Sequence, residues 1–125
     1  MKNERKIRIL VADDHFVVRM GLIALVNTET DMEVIGEASD GKQAVEMFAK
    51  LNPDLMLMDL RMPVKDGVAA TAEICAKHPH ARILMLTTDD GDTDIHRARQ
   101  SGARGFVLKN FPGVDLLPGL RAVAA

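Results

Sequence analysis

Three aspartates stand where apolar runs give out. Asp13 and Asp14 follow Ile7–Ala12, and Asp59 follows Leu55-Met56-Leu57-Met58. Thr87 ends a further run, Arg82-Ile83-Leu84-Met85-Leu86, and Lys109 comes directly after Gly105-Phe106-Val107-Leu108. Carboxylates brought close together cannot all stay ionised cheaply unless a cation sits among them. A hard, oxygen-seeking divalent ion resolves that repulsion, and a pair of carboxylates with several waters is the usual way to hold Mg2+. Alone, Asp59 is equally at home as a turn residue capping the loop after it. Its company argues for more.

These residues act together only if the chain's elements gather them. Residues 7–12 read as a strand, and 16–26 carry Val18, Leu22 and Leu25 at helical spacing. Residues 32–38 form a second strand; Asp40-Gly41 opens a helix with Ala44, Phe48 and Leu51 on one face, and Pro53 stops it. Residues 54–58 form the third strand. It lacks polar alternation, so both its faces must be covered, as in a central parallel strand. A helix over 68–77, a strand over 82–87, a short polar helix over 95–100 closed by Gly102, a strand over 105–108, and a fifth helix in the tail 110–125 follow. Five strands alternating with five helices predict one α/β domain, a doubly wound (βα)5 unit with a parallel sheet of order 2-1-3-4-5 and right-handed crossovers. In that order the first and third strands flank the topological switch point, and ligands sit outside the carboxyl ends of the strands. Asp13, Asp14 and Asp59 then meet in one crevice, with Thr87 and Lys109 on the same edge.

The totals agree with a single folded domain: 125 residues, 47% hydrophobic and 27% charged. A net charge of −2 leaves no electrostatic footprint for nucleic acid, so DNA binding by these residues alone is not expected. The lone Cys75 excludes an internal disulfide and sits in an apolar helical pattern, which reads as packing. No apolar run approaches the roughly 18 residues of a membrane span, and the charged residues 1–6 lack a signal peptide's apolar region. A cytoplasmic location is the expectation.

Val11-Ala12-Asp13-Asp14-His15, Leu57-Met58-Asp59-Leu60-Arg61-Met62-Pro63 with Asp66-Gly67, Leu86-Thr87, and Gly105-Phe106-Val107-Leu108-Lys109 together resemble the receiver domain of two-component response regulators. Val34-Ile35-Gly36-Glu37-Ala38 and Gly102-Ala103-Arg104-Gly105-Phe106 are similar to the NarL/FixJ-type subgroup, whose effector domains are of the LuxR type. The resemblance implies a flavodoxin-like fold and makes Asp59 the phosphoacceptor, taking a phosphoryl group from a sensor histidine kinase. It implies Mg2+ held by Asp13, Asp14, Asp59 and the backbone carbonyl of Arg61, with Lys109 and Thr87 stabilising the phosphoryl oxygens. Thr87 and Phe106 become a two-state switch that alters the face of the fourth helix, fifth strand and fifth helix. The family further implies a homodimer on phosphorylation, and DNA contact only through a C-terminal helix-turn-helix domain expected beyond Ala125.

Departures from the family pattern yield expectations of their own. Asn110 replaces the proline that often follows the lysine, so a trans Lys109-Asn110 bond is expected. Pro118-Gly119 falls within the expected fifth helix, where an interior proline costs roughly 3 kcal/mol or more. A kink is predicted there, or a helix starting near Pro118 and covering only 120–125. His15 reads as a helix-start or surface residue, since Mg2+ prefers oxygen; His78, His80 and His96 are too scattered for zinc. Asp89 and Asp90 read as a solvated loop. Two other functions are weaker. A Mg2+-dependent phosphohydrolase with an aspartyl-phosphate intermediate would want an acid two residues after Asp59, where Arg61 stands. A flavin or nucleotide binder would want a glycine-rich loop after the first strand, where Asp13-Asp14-His15-Phe16 stands.

Overall fold

The computed structural model of the chain describes residues 6–87, 92–108 and 116–125. Its elements run β1 (Ile7–Ala12), α1 (Phe16–Asn27), β2 (Met32–Ala38), α2 (Gly41–Leu51), β3 (Leu55–Asp59), α3 (Gly67–Lys77), β4 (Ile83–Thr87), α4 (Asp92–Gln100), β5 (Gly105–Leu108) and α5 (Leu116–Ala124). The strands form one sheet of order β2-β1-β3-β4-β5, and every pairing is parallel. The predicted doubly wound fold is what forms.

Burial explains the central strands. All five residues of β3 and all five of β4 are buried. Along β3 the side chains alternate between two cores: Met56 and Met58 join Ala44, Phe48, Ala70, Ile74 and Ala98 from α2, α3 and α4. Leu55 and Leu57 join Leu22, Val26, Leu116 and Leu120 from α1 and α5. A strand covered on both sides has no tolerance for polar residues until its end, so its first carboxylates appear at the sheet's edge.

Local signals set the helix starts. Asp40 accepts from the Gln43 backbone N–H at 2.8 Å, while the Gln43 side chain accepts from the Ser39 N–H at 2.9 Å, a reciprocal cap for α2. Asp66 caps α3 through the Ala69 N–H at 2.8 Å. Asn52 ends α2 in the left-handed region at φ 49°, and Arg8 donates to the carbonyls of Leu51 and Asn52 at 2.9 and 3.0 Å. The last carbonyls of α2 thus gain a cation as partner.

Two boundaries differ from the sequence reading by more than one residue. The fourth helix begins at Asp92, not Ile95; its turns are polar and supply few apolar positions by which to place a start. The fifth helix is not confined to 120–125, because it is already helical at Leu116. Pro118 therefore lies in the first described turn. Leu116 and Leu120, one turn apart, are buried against the sheet and anchor α5. The Lys109-Asn110 bond and the loop carrying Asp89 and Asp90 lie outside the described residues.

Candidate functional site

The acids gather by register. Ala12 of β1 pairs with Met58 of β3, so Asp13 and Asp59 are the next residues on neighbouring strands. Asp59 pairs with Leu86 of β4, placing Thr87 one residue further out on the other side. Asp13 is fully buried, Asp59 is 4% exposed and Thr87 5%. Ligand atoms of Asp13, Asp14, His15 and Asp59 all lie within 4.8 Å of one another.

Backbone geometry fixes each member. The Asp13 N–H donates to the Ala38 carbonyl at 3.0 Å, prolonging the β1–β2 ladder by one residue. Arg19, one turn into α1, donates to the Asp13 carbonyl at 2.7 Å and pairs with Glu37 at 2.6 Å, tying α1 to the ends of β1 and β2. Leu60, just past β3, donates to the Leu86 carbonyl at 2.9 Å, and Gly67 donates back to the Leu60 carbonyl at 2.8 Å. The Arg61 N–H points at Asp59 Oδ1 at 3.4 Å, so the loop after β3 turns its backbone toward the carboxylate. The Arg61 side chain is exposed.

The donor set suits a hard divalent cation: three carboxylates, two of them nearly or wholly buried, converge on one point. His15 lies beside them as the exposed helix-start residue the sequence predicts. It is the residue before α1 and makes no side-chain cap bond; its Nδ1 lies 3.3 Å from Asp13 Oδ1 and 3.1 Å from Asp14 Oδ1. Phe106 is half-buried beside the core of α2 and α3, with the Arg99 guanidinium 5.4 Å over its ring. Lys109 lies outside the described residues. Sequence reasoning missed Arg19 and an ion pair at 3.3 Å between Arg97 of α4 and Asp66, the α3 cap. Arg19 left one signal, its place one turn after His15 at the helix start; the Arg97 pair left none.

The response regulator receiver domain matches residues 9–121 of this sequence. The chain belongs to that family. Among curated relatives, the receiver is 40% identical over 118 residues to the transcriptional regulatory protein LiaR of Bacillus subtilis (strain 168), covering 94% of this chain and 56% of LiaR. It is 40% identical over 117 residues to the oxygen regulatory protein NreC of Staphylococcus aureus (strain JH9), covering 93% of this chain and 54% of NreC. The receiver thus spans about half the length of the curated relatives it matches. Among solved structures, the signal receiver domain of a NarL response regulator from Mycobacterium tuberculosis superposes with a TM-score of 0.91 at 32% identity, covering 96% of this chain and 97% of that one. A LuxR-family two-component response regulator from Aurantimonas sp. SI85-9A1 gives 0.91 at 32% identity, covering 95% and 85%. This is a receiver of the NarL/LuxR type, a signalling domain of two-component response regulators. Among the described residues no helix is long and apolar enough to cross a membrane.

Proposed function

We propose that this receiver is a phosphorylation-driven switch in which Asp59 accepts a phosphoryl group from a phosphohistidine on a sensor kinase, with Mg2+ as cofactor. One observation carries the reading: three carboxylates converge at the carboxyl edge of the sheet, with Asp59 at the tip of the central strand and Thr87 next after its partner Leu86 on β4.

Phosphoryl transfer asks a protein mainly for in-line positioning and charge neutralisation. Asp13, Asp14, Asp59 and the Arg61 carbonyl would hold the cation, which supplies positive charge to the transferring phosphoryl oxygens. A carboxylate oxygen of Asp59 attacks phosphorus; an O–P bond forms as the P–N bond to the donor histidine breaks, and its electron pair returns to the imidazole. Burial of Asp59 limits attack by bulk water and strengthens the charges around it. Lys109, immediately after β5, supplies an ammonium to the phosphoryl oxygens. The Thr87 hydroxyl turns to donate to one of them, and Phe106 follows, changing the face of α4, β5 and α5. That face governs self-association and, in the cytoplasm, a C-terminal DNA-binding domain, as the names of the transcription-regulating relatives suggest for their kind.

Incubation with Mg2+ and acetyl phosphate should add one phosphoryl group, read by intact mass, and Asp59→Asn should add none. An adduct that survives Asp59→Asn overturns the assignment. Continuous turnover of the phosphodonor without accumulated adduct would favour a phosphohydrolase, a reading weakened by Arg61 standing where that chemistry keeps its acid.

A further inference from the structure

The Asp13 carbonyl belongs to the peptide that joins Asp13 to Asp14, two of the acids at the carboxyl edge. Arg19 Nη1 donates to that oxygen at 2.7 Å, while Arg19 Nε donates to Glu37 Oε1 at 2.6 Å. A peptide unit is planar, so a turn of this one would swing both flanking side chains, and a donor on its oxygen resists that turn. The Asp13 N–H is held in its turn by the Ala38 carbonyl at 3.0 Å. The guanidinium is itself well fixed. The Arg19 side chain is 13% exposed, and its Cζ lies 5.6 Å over the ring of Phe16. Phe16 is 65% exposed and stands outside both cores, so covering the guanidinium is the packing that its ring does make.

We propose that Arg19 is a positioning residue for the cation step: through the Asp13–Asp14 peptide it sets the aim of two acids at once, and Glu37 holds it in place. The inference rests on the metal-binding reading above and assigns a role to a residue that touches neither cation nor phosphoryl group. A brace between α1 and β2 needs only the bond to Glu37. The second nitrogen of the fork goes instead to the one peptide shared by two of the converging acids, a division of labour that a planar guanidinium allows. Charge and positioning predict opposite signs here. A cation this near the acids repels a divalent ion, so by charge alone its loss would tighten Mg2+ binding. If Arg19 orients the acids, its loss weakens Mg2+ binding, as losing the outer contacts that orient metal ligands does.

The test titrates Mg2+ at constant ionic strength into the wild type, Arg19→Gln, Arg19→Lys and Arg121→Ala, reading affinity from the NMR shifts of the Asp13 and Asp14 amides and stability from urea midpoints. Arg19→Gln should weaken Mg2+ binding about tenfold, the scale on which a lost orienting contact is felt. Arg19→Lys keeps the charge but cannot fork between the carbonyl and Glu37, so it should weaken binding by less. Arg121 braces a different junction, to Asp31 and Glu29; its loss should lower the urea midpoint and leave Mg2+ affinity as it was. Unchanged or tighter Mg2+ binding in Arg19→Gln, with the wild type binding normally, overturns the role of Arg19 and leaves the metal-binding reading standing. If the glutamine variant does not fold, the lysine variant carries the test, and an affinity equal to the wild type's overturns the proposal. If the wild type binds no Mg2+, the proposal and the metal-dependent reading beneath it both fall.

Discussion

A β-carbon at Gly67 would stand 2.0 Å from the backbone carbonyl oxygen of Asp59. The first turn of α3 is therefore pressed onto the peptide that presents the proposed nucleophile, and only a residue without a side chain fits. Gly67→Ala should destabilise the fold by about 2 kcal/mol, as overpacking does, and slow formation of the acetyl phosphate adduct; urea unfolding and intact mass measure the two. Gly21 is the control, since a β-carbon there meets nothing within 4 Å. Gly21→Ala in α1 should stabilise by about 0.5–1 kcal/mol. Equal effects at the two glycines would show that the Asp59 contact is unimportant.

Val64 has φ 70°, with the Lys65 N–H donating to the Pro63 carbonyl at 2.7 Å across it. A β-branched residue in the left-handed region is strained by about 1–2 kcal/mol, and its side chain, 77% exposed, regains little by packing. Val64→Gly should raise stability by about 1 kcal/mol in urea titration, part of the relief being offset by the greater freedom of glycine in the unfolded chain. Destabilisation instead would mean that the valine makes contacts its exposure conceals.

Asp66 has two tasks, capping α3 through the Ala69 N–H and pairing with Arg97 of α4. Asp66→Asn keeps an acceptor for the cap and loses the charge; Asp66→Ala loses both. The alanine variant should be less stable than the asparagine variant by about 1 kcal/mol, the usual worth of such a cap. Similar unfolding midpoints for the two would assign Asp66 to the ion pair instead.

Arg121 of α5 reaches Asp31 at 3.1 Å and Glu29 at 2.6 Å in the turn between α1 and β2. Its hydrogen bond holds the Asp31 carboxyl below the ordinary carboxylate range. A depressed folded value means the stabilisation is complete above the unfolded value of about 4 and is lost as pH falls through the folded one. Arg121→Ala should lower the urea midpoint at neutral pH, and the gap from wild type should close in acid and shrink with added salt. A gap that persists in acid would point to lost packing of the arginine stem.

Thr87 should couple site to surface without being needed for acceptance. Thr87→Ala should still gain one phosphoryl group by intact mass, while the phosphorylation-dependent NMR shifts along α4, β5 and α5 disappear. Shifts that persist unaltered would remove Thr87 from the switch.

The sheet order and the convergence of Asp13, Asp14 and Asp59 were legible because a strand buried on both faces must stay apolar to its end. The first carboxylate then marks the edge, and parallel topology puts those edges together. The start of α4 was not legible, since a polar helix with little apolar face gives no period to follow. Pro118 misled because only the tertiary packing of Leu116 shows that the helix is already under way there.

What the sequence by itself determined is the set of residues at the carboxyl edge, fixed by hydrophobic pattern and strand parity. What only the tertiary structure decided is how that edge is held: Gly67 against the Asp59 carbonyl, Arg97 on Asp66, Arg19 across the ends of β1 and β2, and His15 turned toward two carboxylates. Most of these contacts join separate elements, and the last depends on how the chain turns after β1. A one-dimensional pattern records which residues must be buried, but the pairings of polar groups at the rim depend on distances that exist only once the sheet has closed its register.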